Sequence, residues 1–372
     1  MKKLATLSLV VFLVAALFLV ACNQQGGQAP AAPGSAPPES SAPESVAPEE
    51  PADVIELNMS HSYPPQSDLG MVLQQWADDM GEQSGGRIKI NVFPVSSLTT
   101  PAELYDGVAQ GVADIAYGHP TEDLGRYGIY TGFALVGLDY KEEFPEVKNK
   151  AAVFESVRAK FPETQDQHPD VEILYDCHMP PYVLQGASKE VRVPSDMVGY
   201  KVAATGLSIS LAEHLGAVPV YVVPPDRYTS LERNLIDGSW DVWAGIFAMK
   251  HYEVSNYYTE GVDFGAVSAM VVMNKNKLNS LPADIQAMFR DQKNSITYTF
   301  PAGAYLNETT LGRNAAVEKG STISIPTADE LKLWDQAYEG YTEKWIADME
   351  ARGWPQARAF TEEIYKAVDA IK

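Results

Sequence analysis

The chain has 372 residues, enough for two ordinary domains and a sizeable core, and its 45% hydrophobic and 21% charged content is that of a globular protein. A formal net charge of −21 with no offsetting basic stripe argues against nucleic acid as a partner. Enzyme signatures are also missing: there is no G-x-S-x-G, H-E-x-x-H, C-x-x-C, P-loop or strand-borne G-x-G-x-x-G.

The first segment is a targeting sequence. Lys2 and Lys3 precede an apolar run over residues 4–21, which closes on Leu19-Val20-Ala21-Cys22. Small residues before a cysteine predict a lipoprotein signal over residues 1–21, with Cys22 lipidated and serving as a membrane anchor. Residues 22–53 are Pro, Ala and Ser-rich and lack the apolar side chains to fold, so they predict a disordered tether. Lipidation leaves Cys177 without a partner, so no disulfide is expected, and Cys177 reads as a small buried residue.

The folded body begins near Val54. Residues 54–60 alternate as a strand, and His61 to Pro65 form a loop. Ser67 caps a helix with Leu69, Val72, Leu73, Trp76 and Met80 on one face, ended by Gly85-Gly86. A strand over 87–93, a helix starting at Pro101 and a strand over 114–117 follow; the alternation predicts an α/β domain with a largely parallel sheet. Residues 121–140 read as loops, 144–161 as a helix, and 171–175 as a strand continuing past Pro180-Pro181 into 182–185, a domain crossing.

Residues 194–243 form a β-α-β-α-β unit. Its first helix ends at Leu215-Gly216-Ala217, its second starts near Asp226, and Asp237-Gly238 opens its last strand. A strongly apolar strand over 265–273 marks a second crossing. Residues 282–314 read as mostly helical with a possible kink at Pro301. Thr327 with Glu330 makes a capping box before the last helices, which carry Leu331, Trp334, Tyr341 and Trp345.

Ligands of open α/β sheets lie beyond the carboxyl ends of strands. Those ends offer His61, Tyr63, Tyr117, His119, Tyr182, Lys201, Ala203, Trp240, Asp241, Trp243 and Phe247 as candidate ligand-binding residues. The six histidines are scattered, and no metal site or other cofactor is expected.

The segments SGGRIKINVFP, GVAQGVADIAYG, VPSDMVGYKVAA, LGAVPVYVVPPDRYTSLERNLIDGSWD and VVMNKNKLNSLPADIQAMF, following a lipoprotein signal, resemble the DctP-type solute-binding proteins of tripartite ATP-independent periplasmic (TRAP) transporters. The resemblance implies a bilobed periplasmic-binding-protein fold. Two discontinuous α/β domains, residues 54–180 with 267–305 and residues 181–266 with 306–372, would be joined by hinge strands and a long helix around a ligand cleft. It implies an extracytoplasmic, lipid-anchored protein with no enzymatic activity. Such a protein captures a small solute by domain closure and delivers it to two membrane permease subunits driven by an ion gradient.

The family's carboxylate-clamping arginine falls in Gly-x-Lys-x-Arg, which reads Gly199-Tyr200-Lys201-Val202-Ala203 here. Ala203 cannot clamp a carboxylate, and Asp241 among aromatic rings suits a cation. A small amine, amino alcohol or quaternary ammonium is therefore the favoured ligand, followed by a neutral polar compound. The alternatives are an organic acid held by a relocated Lys201, Arg126 or Arg227, a ligand-sensing lipoprotein, and an Asp241 engaged in a structural salt bridge.

Overall fold

The computed structural model describes residues 54–119, 127–138, 147–296 and 306–370. The predicted signal, Cys22, the tether, Arg126 and the kink at Pro301 lie outside the described residues, as do the side chains of residues 177–181, Cys177 included.

The first sheet begins with β1 (Ile55–Ser60), α1 (Asp68–Gln83) and β2 (Ile88–Phe93), with β1 and β2 parallel and in register from Ile55↔Ile88 to Ser60↔Phe93. Buried Leu69, Leu73, Trp76 and Met80 recur at helical spacing and pack α1 onto the sheet. Trp76 donates its indole N–H to the Asn294 carbonyl at 2.8 Å. Ser67 caps α1 as expected: its Oγ accepts from Gly70 N–H at 3.1 Å and donates to the Pro64 carbonyl at 2.8 Å. Ser67→Ala is expected to lower stability by about 1 kcal/mol, read as a small drop in Tm; an unchanged melt would show that solvent replaces the cap.

Next come α2 (Leu104–Ala109), reached through a 3-10 turn at Pro101–Glu103, and β3 (Ile115–Gly118). The described part of the predicted 121–140 loop holds a 3-10 helix at Gly128–Ala134, because Ile129, Tyr130 and Phe133 are all drawn into the core. α3 (Val147–Lys160) packs on β4 (Val171–Pro181), and Arg158 of α3 pairs with buried Asp176 of β4. β4 runs unbroken through Pro180-Pro181. It is an edge strand, where a proline's missing donor is tolerated.

The chain then passes through Tyr182 into β5 (Val183–Gly186), the first strand of the second sheet. The expected β-α-β-α-β unit follows as β6 (Lys201–Ala204), α4 (Leu207–His214), β7 (Val218–Tyr221), α5 (Pro224–Glu232) and β8 (Gly238–Asp241). Gly238 is required: a Cβ there would lie 2.2 Å from the Gln185 carbonyl on β5.

Beyond Asp241 a helix that the sequence reading did not anticipate, α6 (Trp243–Ala248), precedes β9 (Tyr257–Thr259). β10 (Ala266–Asn274) returns to the first sheet, with Ala266 still paired to Pro181, so the two crossing segments remain side by side. The remaining elements are α7 (Lys275–Ser280), α8 (Ala283–Arg290), α9 (Leu306–Glu318), β11 (Thr322–Ser324), α10 (Ala328–Ala337), α11 (Tyr341–Ala351) and α12 (Ala357–Asp369). The capping box forms: Thr327 N–H donates to Glu330 Oε2 at 2.7 Å, and Glu330 N–H donates to Thr327 Oγ1 at 3.3 Å.

The strand orders are β2-β1-β3-β10-β4 and β11-β9-β5-β8-β6-β7. Both sheets are mixed rather than largely parallel. β10 runs antiparallel to β3 and β4, and β5 runs antiparallel to β8 and β9. The crossing strands cause this, since a strand that leaves one sheet for the other, or returns, enters with the reverse sense.

Candidate functional site

A cavity of about 80 Å³ lies where elements of both sheets meet, larger than the space a single water needs. Ser62, Tyr63, Leu69, Pro101 and His119 line it from the loops and helices of the first sheet. Pro224, Pro225, Arg227, Asp241, Val242, Ala244, Gly245, Ala248 and Met249 line it from the second, with Tyr182 from the crossing and Glu308 from α9.

On the first side, the Tyr63 hydroxyl and His119 Nε2 lie 2.8 Å apart, and His119 Nδ1 lies 3.4 Å from the Ser268 carbonyl. A carbonyl only accepts, so in the neutral ring Nδ1 carries the proton and Nε2 accepts from Tyr63. Tyr117 packs edge-on against both rings and is buried. His61 is buried as well; its Nδ1 accepts from Tyr63 N–H at 3.2 Å, and burial pulls its pKa down to about 4. It is neutral near pH 7 and supplies no positive charge to a ligand.

On the second side, Arg227 on α5 reaches the carboxyl end of β8. Its Nη1 donates to Asp241 Oδ2 and to the Trp240 carbonyl, both at 3.0 Å. The two side chains are 8% and 13% exposed, so this is a buried ion pair. Asp241 Oδ1 accepts from Val242 N–H at 2.8 Å, and His251 Nδ1 sits 3.6 Å from Oδ2. His251 is held neutral, its pKa lowered to about 4 mainly by burial. It is fixed by Gln185, whose amide N–H lies 3.2 Å from Nδ1 and 2.7 Å from the Ser239 hydroxyl.

Gly245 makes room for this arrangement, since a Cβ there would stand 2.4 Å from Asp241 Oδ1. Arg227 Nε is buried with no hydrogen-bond partner. The guanidinium is thus anchored through one nitrogen and unsatisfied at another.

Of the residues singled out from sequence, Tyr63, His119, Tyr182 and Asp241 line the cavity together. Arg227, one of the basic residues offered as a relocated clamp, lines it too, and the other candidate ligand-binding residues do not. Ala203 is packed with Leu231 and Ile236, and Trp240 is buried beside Phe264. Adjacent residues of a strand face opposite ways, so Asp241 and Trp240 cannot share a wall. Trp243 stacks near Tyr258 and donates to Glu260 at 2.8 Å, while Phe247 stacks on Tyr252 beside a separate surface depression. Lys201 is exposed at the amino end of β6, away from the carboxyl ends that meet the cavity. Glu308 was not anticipated; an acidic residue in a helix's first turn carries no site signal by itself.

Among the described residues no group of three or more His, Cys, Asp or Glu side chains could hold a metal, and no helix is long and apolar enough to cross a membrane.

Two α/β sheets joined by paired crossing strands, with a small cavity where their elements meet, define a bilobed binding protein of the periplasmic type. The chain belongs to the family described as bacterial extracellular solute-binding protein, family 7, or DctP, which matches residues 59–123 and 182–348. It is a TRAP-type solute-binding protein by this membership.

The C4-dicarboxylate-binding periplasmic protein DctP of Rhodobacter capsulatus is 22% identical over 291 residues, 77% of this chain and 84% of the relative. The protein of the same name from Vibrio cholerae is 27% identical over 167 residues, 44% of this chain and half the relative's length. A TRAP solute-binding protein from Rhodoferax ferrireducens, solved with copurified benzoate, superimposes with a TM-score of 0.75 at 22% identity, over 85% of this chain and 98% of that one. Another, from Bordetella bronchiseptica with bound mandelate, has a TM-score of 0.74 at 18% identity, over 86% and 100%.

Proposed function

We propose that this protein is an extracytoplasmic lipoprotein, anchored through Cys22, that captures a small carboxylate-bearing solute and delivers it to a two-subunit, ion-gradient-driven TRAP permease. Residues 54–180 with 267–305 would close on residues 181–266 with 306–372 around the cavity. The observation that carries the carboxylate reading is Arg227: a buried guanidinium on the cavity wall, fixed through Nη1 and unpartnered at Nε. It occupies the role of the relocated clamp, one of the alternatives open from sequence.

The same geometry weakens the amine reading built on Asp241, because that carboxylate already has Arg227 as its counter-ion, whereas the guanidinium gives Asp241 only one of its nitrogens and keeps further N–H donors. The solved relatives with benzoate and mandelate support the carboxylate reading by likeness.

The test is isothermal titration with benzoate, mandelate, succinate and alanine against ethanolamine and choline. Every compound that binds is expected to carry a carboxylate. Binding of ethanolamine or choline, with none of the carboxylates bound, would sink the reading.

A further inference from the structure

A second acid side chain reaches the cavity, and its surroundings differ from those of Asp241. Glu308, in the first turn of α9, is only 7% exposed, and so is Asp68 at the start of α1. The two are locked together: Glu308 N–H donates to Asp68 Oδ2 at 2.7 Å, Asn307 Nδ2 donates to Asp68 Oδ1 at 3.3 Å, and the main-chain N–H of Asp68 serves the Glu308 carboxylate. Among the described residues no basic side chain pairs with either.

Two buried carboxylates side by side are unfavourable without a counter-charge. Of the pair, Glu308 lines the cavity and Asp68 does not. Among the described residues no basic side chain supplies that counter-charge, and the cavity that Glu308 lines is a place from which a cation can supply it. Independently, Arg227 also lines the cavity, from the second side.

We propose that the solute is a small zwitterion, its carboxylate pairing with Arg227 and its ammonium with Glu308. This rests on the carboxylate reading above and adds the second contact. The charged and titratable groups bordering Glu308 and the cavity are Asp68 on α1, Tyr63 and His119 on the loops of the first sheet, and Arg227 and Asp241 on the second side. Arg227 and Asp241 balance one another, which leaves the Glu308–Asp68 pair as the negative charge without a basic partner among the described residues.

Burial, and then the Asp68 charge, push the Glu308 carboxyl up to about 7. Part of the free protein therefore carries a proton there at neutral pH, and an arriving ammonium expels it. Zwitterion affinity rises as pH increases through about 7, with protons released on binding.

Titrations of the full chain with two matched trios decide the matter: phenylglycine, phenylacetate and benzylamine, and alanine, propionate and ethylamine. In at least one trio the zwitterion is expected to bind about tenfold or more tighter than its acid and its amine, with buffer-dependent heats showing proton release. In Glu308→Gln the zwitterion then binds no better than its acid, and the proton release disappears. Thermal melts of that variant above pH 7, at or above wild type, would show that it folds.

If an acid binds as tightly as its zwitterion and Arg227→Gln abolishes it, the zwitterion proposal fails and the carboxylate reading stands. If an amine binds more tightly than its acid and Arg227→Gln leaves it unchanged, both fail. Absence of binding by all six compounds to folded protein also overturns the proposal.

Discussion

Arg227→Met is expected to abolish measurable solute binding and to cost about 3–5 kcal/mol of stability, because it strands Asp241 in a buried site. The binding loss should be about a hundredfold or more, since among the described residues no other Arg or Lys lines the cavity. The two effects separate in the double variant Arg227→Met with Asp241→Asn. Removing both charges restores most of the stability, as replacing a buried pair is often near neutral. It does not restore binding. Denaturant melts and calorimetry on the single and double variants measure both quantities. Wild-type affinity in either variant would place the carboxylate contact elsewhere.

Gly312→Ala is the second large effect. At Gly312 α9 lies directly against α6, and a Cβ would stand 2.4 Å from the Trp243 carbonyl and 3.2 Å from Phe247 Cβ. The nearer obstacle is backbone, which cannot rotate away. The helices must separate, at about 1–3 kcal/mol. They carry cavity residues on both sides of the contact, Glu308 on α9 and Ala244, Gly245 and Ala248 on α6. Solute affinity should therefore fall together with Tm. A variant that melts like wild type would show that α9 shifts freely against the second sheet.

What the sequence disclosed divides along physical lines. Local signals were legible: the Ser67 cap, the apolar face of α1, the Thr327–Glu330 box and the β-α-β-α-β succession all form. The mixed sense of the sheets was not, because it depends on β10 pairing with strands far back in the chain, and no local pattern encodes that. The Pro180-Pro181 pair lies within an edge strand, where no outward hydrogen bond is needed, so the strand runs on through it.

The site shows the same split. Tyr63, His119, Tyr182 and Asp241 followed from the rule that ligands lie beyond strand ends. Trp240, Trp243 and Phe247 follow the commoner fate of large aromatics and pack elsewhere. The partnership of Arg227 with Asp241 spans 14 residues and a turn of direction, and its geometry emerges only once α5 folds over β8. Glu308 comes from a helix far from every motif in the chain, and only the tertiary structure brings it to the cavity.

The position of β10 bears on when this protein can fold. It lies between β3 and β4, which precede it in the chain, and it is hydrogen-bonded to both. Until residues 266–274 have been synthesised, those two strands have no common neighbour and the first sheet cannot close. The second sheet waits longer for its last edge strand at residues 322–324. Closing loops of this length is slow compared with forming helices or hairpins. A nascent chain thus reaches nearly three-quarters of its length without a finished sheet, and an unfolded chain is the form in which a polypeptide can be threaded across a membrane.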